Sequence, residues 1–383
     1  MMRVAINLLT DDPGAPSGAH WFWKQVIREM DPLLGEDEEL HLLVSPRIRH
    51  EHSGYGPRVR HVTFPWSNER RSLRTLSEQL YAPVRLPRAR IDVFNTLIAP
   101  LVRPAPGVVA HFKTLHAFTT PSAINPAVRL YRRTGYPHTA KVADAVIINS
   151  ESLRREVEEH LDVDPGKLRL VPEAVDHEVF RPGDPAEAAS RLRRERGIEG
   201  PFVLFVSSLW PYKNVEGLLR AFAIARRDLA GHRLVVVGGA ADADYATRLR
   251  VLAHDLGVTD SVVWVGGIRH HETLPFYRAA DAFVYPSHNE TFGLPILEAM
   301  AVGCPVVTSD CSAMPETAGG AALLADPGDP AALARAIVAA CGDEGPRLRD
   351  LGPSRAGQFT WAATAKATLE VYREVHAARG GRR

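Results

Sequence analysis

Two carboxylates stand eight residues apart in a stretch that reads YPSHNETFGLPILEAMAVGCPVVTS from Tyr285 to Ser309. A carboxylate can accept hydrogen bonds from both hydroxyls of a vicinal diol, and ribose and hexoses each carry such diols. Glu290 and Glu298 are therefore suited to hold sugar hydroxyls. For this pair alone, a purely structural interpretation is equally open, in which Glu290 caps a helix and Glu298 lies on the protein surface.

The residues around these carboxylates predict a helix whose first turn follows a polar loop. Pro295 suits a first turn because it needs no N–H donor there, and Gly303 is typical of a left-handed residue at a helix end. The helix would begin at Gly293 and Leu294, where unpaired N–H groups and the positive end of the helix dipole suit a phosphate oxygen. Phosphate and sugar hydroxyls would then bind side by side.

The elements around these groups must position them. Strands and helices alternate along the sequence, and this alternation predicts parallel sheets covered by helices. Apolar runs predict strands at 3–9, 40–44, 59–64, 91–94, 108–110, 145–149, 201–207, 233–237, 262–265, 282–285 and 306–309. Helices are predicted at 20–30, after Ser150, and at 216–230, 242–256 and 361–379. The stretch 171–185, which contains proline and glycine, interrupts the alternation and predicts a domain boundary.

The predicted fold class is therefore α/β, with two doubly wound, Rossmann-like domains. Residues 1–178 would form the first domain, 179–360 the second, and 361–383 a C-terminal helix. Ligands of open α/β sheets bind beyond the carboxyl ends of the strands, so we expect the two domains to face each other across a substrate cleft.

The second domain, which carries both carboxylates, also resembles a known family. The motif that carries the resemblance is Glu290-x-Phe292-Gly293-Leu294-Pro295-x-x-Glu298-Ala299-x-Ala301-x-Gly303-x-Pro305-Val306-Val307. It is similar to the E-x7-E signature of glycosyltransferase family 4, a large group of retaining enzymes with the GT-B fold. The segment VSSLWPYKN, from Val206 to Asn214, resembles the diphosphate-binding turn of that family. The resemblance covers nearly the whole chain and is strongest over 200–320.

The resemblance implies a particular set of site residues and a GT-B arrangement in which the C-terminal helix crosses back to the first domain. His116 and Glu290 would be the catalytic residues beside the donor sugar. The implied donor-binding residues are Gly18, Ser208, Lys213, Gly267, Ile268, Phe292, Gly293, Leu294 and Glu298. Ser208 stands where many members of the family carry arginine, so the diphosphate would rest mainly on Lys213 and the helix terminus.

The implied activity is transfer of a hexose from a nucleotide-diphosphate sugar to an acceptor hydroxyl, with retention and without a cofactor or metal ion. One DxD string, Asp242-Ala243-Asp244, opens a predicted helix and is not read as a metal site. Two alternatives stay open. One is an epimerase or synthase of the same architecture that acts on nucleotide sugars. The other is a non-catalytic protein that binds them.

The composition limits the classes of binding partner but does not identify the acceptor. The net charge of +1 gives no general attraction to nucleic acid. Three cysteines without a CxxC pair favour a reducing cytoplasm. Between Leu40 and Lys113, 12 Lys and Arg residues face 4 Asp and Glu residues. The region Arg70–Arg90 is the densest part, which is typical of a solvated loop but also fits an anionic acceptor or a membrane surface. A small-molecule, a lipid-linked and a polysaccharide acceptor all stay open, and the lack of a strong amphipathic helix in the sequence favours a soluble one.

Overall fold

A computed structural model describes residues 1–9, 18–64, 75–121, 124–240 and 242–380, and it divides into two compact units. Unit 1 comprises Met1–Glu173 together with the chain from Trp361 onward, and unit 2 comprises Ala174–Thr360. The chain therefore leaves unit 1, forms the whole of unit 2, and returns to unit 1 for its last helix.

Unit 1 is built on a parallel sheet whose strands carry mostly buried residues. Its described strands are β1 (Met2–Asn7), β2 (Glu38–Val44), β3 (Val59–Thr63), β4 (Val93–Thr96), β5 (Gly107–His111), β6 (Ala145–Ile148) and β7 (Leu168–Leu170). Their order is β3-β2-β1-β4-β5-β6-β7. Every pairing is parallel, so the carboxyl ends of all these strands lie at one edge of the sheet.

The helices of unit 1 connect these strands. They are α1 (Gly18–Met30), a π-helical turn (Ser77–Tyr81) that continues into α2 (Ala82–Arg88), α3 (His116–Thr119), α4 (Pro126–Val142) and α5 (Glu151–His160). Helix α5 begins where the sequence predicts it, because the Ser150 hydroxyl accepts a hydrogen bond from the Leu153 N–H at 3.0 Å. The polar helix α4 lacks a strong apolar period and was not predicted.

Unit 2 repeats the same architecture with another parallel sheet. Its strands are β8 (Phe202–Val206), β9 (Arg233–Val237), β10 (Val262–Gly266), β11 (Ala282–Tyr285), β12 (Val306–Ser309) and β13 (Leu323–Ala325), in the order β10-β9-β8-β11-β12-β13. The first strand, β8, lies between β9 and β11. The strand order thus reverses between β8 and β11, and open α/β sheets bind ligands at such a reversal.

The connecting segments of unit 2 are helical. They are α6 (Pro185–Arg196), α7 (Val215–Ala225), α8 (Ala243–Asp255), α9 (Leu274–Ala279), α10 (Leu294–Ala301), α11 (Met314–Ala318), α12 (Pro330–Cys341) and α13 (Gly345–Ala356). Helix α10 follows β11, and the short turn before α7 follows β8. These two connections lie at the reversal of strand order and carry the principal predicted residues.

The last helix, α14 (Trp361–Gly380), belongs to unit 1. Its buried residues Leu369, Tyr372 and Val375 share one hydrophobic core with strand β1 and helix α1. Ion pairs fix its exposed side to unit 1: Arg169 with Glu374, Arg373 with Glu38, and Arg379 with Asp144. Both apolar packing and charge therefore hold the returning chain in place.

The predicted α/β class with two doubly wound units is confirmed, and the eleven predicted strands form with shifts of a few residues at their ends. Strands β7 and β13 were missed because each contains three residues, too few for a visible pattern. Of the predicted basic region, Arg70, Arg71 and Arg74 lie outside the described residues. Among the described residues, no helix has the length and apolar character that crossing a bilayer requires.

Candidate functional site

Lys213 lies at the reversal of strand order in unit 2, in the connection after β8. It ends a short 3-10 turn, Pro211–Lys213, and its side chain is only 10% exposed. The ammonium donates to the Tyr285 hydroxyl at 2.6 Å and contacts the Glu290 carboxylate. Tyr285 ends the neighbouring strand β11. The lysine therefore links the two connections that leave the neighbouring strands β8 and β11.

The Glu290 carboxylate collects several donors on one oxygen. Its Oε1 accepts hydrogen bonds from the Tyr285 hydroxyl at 3.0 Å and the Ser287 hydroxyl at 2.8 Å, beside the contact with Lys213. Burial, and next the negative charge of Glu290, raise the pKa of Tyr285 well above its ordinary value. The hydroxyl therefore stays protonated, accepts from Lys213 and donates to Glu290. This network holds the carboxylate in one orientation.

Asn214 shapes the turn that presents Lys213. It adopts a left-handed conformation with φ of 57°, which asparagine tolerates better than most residues. Its side-chain oxygen accepts from the Gly217 N–H at 3.1 Å and so caps α7, while its amide donates to the Pro327 carbonyl at 2.8 Å. Both ends of this side chain are engaged, which fixes the backbone next to the lysine.

The backbone of Glu290 is held by the connection after β12. The Ser312 hydroxyl lies 3.1 Å from the Glu290 N–H, from which it accepts, and 2.6 Å from the Glu290 carbonyl. The Ala313 N–H donates to the same carbonyl at 3.2 Å. The loop that carries Glu290 is thus fixed from both its side chain and its main chain.

Helix α10 begins directly after this loop at a left-handed glycine. Gly293 has φ of +89°, a conformation that residues with a Cβ rarely adopt, and no side chain caps the first turn of α10. The structural interpretation of Glu290 as a helix cap is therefore wrong, because its side chain turns to Lys213 instead. The uncapped terminus keeps the dipole and N–H groups that suit an anion.

Glu298 lies about one turn into α10 and is buried, with 6% of its surface exposed. His270 Nε2 lies 2.6 Å from its Oε1, and the Tyr277 hydroxyl donates to its Oε2 at 3.0 Å. The interpretation of Glu298 as a surface residue is therefore wrong. A carboxylate has about four lone-pair sites, so these two contacts leave acceptor capacity for a diol.

The negative charge of Glu298 helps to raise the pKa of both its neighbours, His270 and Tyr277. It raises the pKa of His270 above the ordinary value of 6.5, against the opposing effect of burial. Burial, and then Glu298, raise the pKa of Tyr277 well above its ordinary range. The Phe180 ring lies 5.1 Å from the His270 ring between centroids and shields it on one side. The raised pKa favours the protonated form of His270, whose charge compensates part of the Glu298 charge.

Gly238, the residue after β9, lies where two backbones approach closely, whereas the glycine after β10 has ordinary contacts. A Cβ on Gly238 would lie 1.8 Å from the Ser207 carbonyl oxygen, so only glycine fits there. A Cβ on Gly267 would lie 3.6 Å from the Gly239 Cα. Ser208 is exposed in the connection after β8, and Ile268 is half-buried against the core of unit 2. These residues line neighbouring connections at the same edge of the sheet.

The structure brings Lys213 into contact with Glu290, buries Phe292 and places Gly293 and Leu294 at the start of α10. The two remaining predicted residues lie in unit 1. Gly18 is the first residue of α1, and His116 is the first residue of α3, where its N–H donates to Thr114 Oγ1 at 3.1 Å.

Sequence reasoning missed Ser312, which holds the Glu290 backbone, and the side chains that orient the two carboxylates: Ser287, Tyr285, His270 and Tyr277. Two of these lie inside the motif region, where a buried tyrosine hydroxyl and a serine beside a carboxylate were a usable signal. His270 and Tyr277 are 28 and 21 residues before Glu298, and no local pattern links them to it.

The described residues contain no group of three or more His, Cys, Asp and Glu side chains able to hold a metal ion. The DxD string forms a helix start as predicted, since Asp242 accepts from the Asp244 N–H at 2.9 Å and caps α8.

Solved structures with the same fold are glycosyltransferases of the GT-B class. Sucrose-phosphate synthase from Thermosynechococcus elongatus superposes with a TM-score of 0.76 and 22% identity, covering 99% of this chain and 100% of the other. The Anabaena protein Alr3699/HepE, in complex with UDP and glucose, gives a TM-score of 0.71 and 18% identity over 97% and 98% of the two chains. At these identities the similarity shows the fold, and the fold class is the GT-B class predicted from the sequence.

Sequence comparison then identifies the family. Residues 189–354 match the family model for glycosyl transferases group 1, and residues 33–179 match the model for glycosyltransferase family 4. The first match lies in unit 2 and the second covers most of unit 1, and the chain belongs to the group 1 glycosyltransferases of the family 4 type.

Curated relatives agree with this assignment over part of their length. A D-inositol 3-phosphate glycosyltransferase of Acidothermus cellulolyticus is 36% identical over 268 residues, which is 65% of this chain and 57% of that protein. A protein of the same name from Frankia alni is 38% identical over 222 residues, or 55% and 54% of the two chains. The chain thus matches little more than half the length of these relatives.

The ion pair of Lys213 and Glu290 gives a first prediction. Removing one partner leaves a buried charge without its partner, so Lys213→Met and Glu290→Gln should each lower the free energy of unfolding by about 3 kcal/mol. The double variant should lose less than the sum, by about 1 kcal/mol or more, in urea denaturation.

The matched control for this double-mutant cycle is the exposed pair Arg191 and Glu195 of α6, whose side chains are about half exposed. Its coupling energy should be about 0.5 kcal/mol or less because water screens both charges. Additive losses at Lys213 and Glu290 would contradict the inferred pair.

The pair of His270 and Glu298 gives a second prediction, on pH. Because folding raises the pKa of His270, the protonated ring contributes stability that is fully present below pH 6.5 and is lost as the pH rises through the folded-state value. His270→Gln keeps an N–H donor but not the charge. We expect wild type to exceed this variant in urea midpoint at about pH 5.5, and the excess to shrink by about pH 9. An excess that is independent of pH would show that the charge contributes nothing.

Proposed function

We propose that this protein is a retaining glycosyltransferase that moves a hexose from a nucleotide-diphosphate sugar to an acceptor hydroxyl without a metal ion. The observation that carries this proposal is the arrangement around α10, where Glu290 and Glu298 bracket an uncapped helix N-terminus and Lys213 contacts Glu290. This arrangement offers hydrogen-bond acceptors for two sugars and positive potential for the diphosphate between them.

The donor would bind to unit 2 through groups whose chemistry matches its parts. An ammonium has three N–H donors, so the contacts of Lys213 with Tyr285 and Glu290 leave one for a phosphate oxygen. The start of α10 at Gly293 and Leu294 would hold a second phosphate oxygen. Glu298 would accept from the ribose diol. The base would lie near Gly267 and Ile268, with Ser208 and Phe292 also at the donor.

In the proposed reaction, the bond between the anomeric carbon and the phosphate oxygen breaks and the acceptor oxygen forms a new bond on the same face. Lys213 and the terminus of α10 stabilise the negative charge that develops on the leaving diphosphate. The leaving phosphate takes the proton of the acceptor hydroxyl. Glu290 would position the sugar. The family resemblance implies the same role for His116 and a place near the diphosphate for Gly18.

Metal independence is part of the proposal. In this site a lysine and a helix dipole supply the positive potential that a divalent cation supplies elsewhere, so neither a metal nor another cofactor is required. The side-chain contacts of Lys213 support this view, because they keep its charge at the reversal of strand order.

For the acceptor we propose a small molecule. The relatives carry the name D-inositol 3-phosphate glycosyltransferase, so D-inositol 3-phosphate is the first acceptor to test. A lipid-linked sugar or a polysaccharide would be identified by transfer to that compound instead. We also propose a cytoplasmic location, since Cys304, Cys311 and Cys341 are all free thiols.

Donor binding is tested by thermal shift with UDP, GDP, TDP and ADP, each with magnesium and with a chelator. A ligand at about 100 times its Kd adds about 2.7 kcal/mol of stability, so binding gives a visible shift. We expect one nucleotide to stabilise the protein equally well with chelator. Lys213→Ala and Glu298→Ala should abolish the shift, whereas Glu187→Ala on the exposed face of α6 should preserve it. A shift that requires magnesium would refute metal independence.

Catalysis is tested by turnover of the corresponding nucleotide glucose, with and without acceptor. Glu290→Gln should lower kcat by about tenfold or more, because it loses the charge that holds Lys213 and the sugar. The anomeric configuration of the first product, followed by NMR, tests retention. Undiminished turnover in Glu290→Gln would remove this residue from the catalytic groups. Binding without hydrolysis or transfer would instead favour a non-catalytic nucleotide-sugar-binding protein.

A further inference from the structure

An unusual number of large apolar side chains is exposed on one part of unit 1. Leu76, Leu80 and Val84 recur every four residues along the π-helical turn and α2, and Leu80 is 62% exposed. The opposite face of the same segment is buried and contains Ala82 and Leu86. The segment therefore has a second apolar face, at which Leu76, Leu80 and Val84 are 43%, 62% and 46% exposed.

The neighbouring connection extends this apolar surface. The side-chain oxygen of Gln79 accepts from the Leu101 N–H at 3.0 Å, and its amide donates to the Tyr131 hydroxyl of α4 at 3.4 Å. Leu101 is 78% exposed and Leu130, next to Tyr131, is 67% exposed. The Leu80 surface is therefore composed of residues from three adjacent segments: Leu76, Leu80, Val84, Leu101, Val102 and Leu130.

The two longer segments that carry the Leu80 surface are rich in basic residues. The segments 75–90 and 124–142 hold seven basic residues and a single acidic one. The basic residues are Arg85, Arg88, Arg90, Arg129, Arg132, Arg133 and Lys141. The acidic residue, Glu78, is 6% exposed and accepts a hydrogen bond from Asn7 at 3.2 Å, so it lies inside the unit. Arg103, next to Val102, forms an ion pair with Asp144, a carboxylate that it shares with Arg379.

We propose that the Leu80 surface binds the anionic face of a lipid bilayer. Apolar side chains that enter the region between headgroups and acyl chains, flanked by arginines that meet acidic headgroups, are the chemistry of interfacial binding. A second copy of this chain is a poorer fit, since a symmetric contact would bring the basic segments of two copies together. The sequence placed the charge at Arg70–Arg90, and the structure adds the apolar residues beside it.

The proposal is tested by co-sedimentation of the full chain with vesicles, without nucleotide, so that it stands apart from the proposed activity. One set of vesicles is phosphatidylcholine, and the other contains about one third phosphatidylglycerol. We expect binding to the anionic vesicles only, and a loss of binding at about 0.5 M salt, where surface charges are screened.

Two double variants separate the apolar contribution from the charged one. Leu80→Gln with Leu101→Gln removes the most exposed apolar side chains, and Arg85→Gln with Arg88→Gln removes two charges. Each arginine near an anionic surface contributes about fivefold in affinity, so the second variant should bind about 25-fold more weakly. The apolar variant should lose at least about tenfold, since insertion of those leucines drives interfacial binding.

The matched control lies in unit 2, where Arg250 and the exposed Val251 stand side by side in α8. Arg250→Gln with Val251→Gln should bind anionic vesicles as wild type does. Unchanged thermal midpoints confirm that all three variants fold. No binding to anionic vesicles, or binding that both surface variants retain, would overturn the proposal. So would a dimer in sedimentation velocity that only the leucine variant dissociates, because the surface would then join copies of the chain.

Discussion

The candidate site depends on one buried ion pair. Lys213 and Glu290 carry opposite charges with little access to water, and neither charge is tolerable there without the other. They lie on the connections after β8 and β11, the neighbouring strands between which the strand order reverses. The left-handed turn at Asn214 and the contacts of Ser312 with the Glu290 backbone can both be understood as supports for this pair. The pair in turn defines the position from which α10 begins.

The elements that follow continuous apolar runs were predictable, because a strand buried on both faces must be apolar throughout. Strands β8 and β12 are clear examples, as all their residues are buried. The candidate carboxylates were also predictable, since their motif is local and resembles that of a known family. Their partners were not. Tyr277 of α9 and His270 of the 3-10 turn before it reach Glu298 because α9 packs beside α10, and no residue near Glu298 in the sequence indicates this packing.

The Leu80 surface shows a different limit of sequence reasoning. Apolar residues that recur every four positions normally mark the buried side of a helix. Here Leu76, Leu80 and Val84 keep that spacing but face outward, because Ala82 and Leu86 already occupy the inward side. When both faces of a helical segment are apolar, the spacing of its apolar residues does not show which face is buried. The charge pattern did single out this region where the hydropathy pattern did not, because the excess of arginine over Arg70–Arg90 is visible in the sequence.

The return of the chain to unit 1 affects the order in which the two units can fold during synthesis. The core around β1 includes Leu369, Tyr372 and Val375 of α14, which are synthesised only after the 187 residues of unit 2. At usual elongation rates that interval is about 10 to 40 s. Unit 2 is continuous and can finish folding within it, although it comes second in the sequence. The nascent first unit must wait, with an apolar groove open, for the segment that closes it, and this reverses the usual order of maturation along a chain.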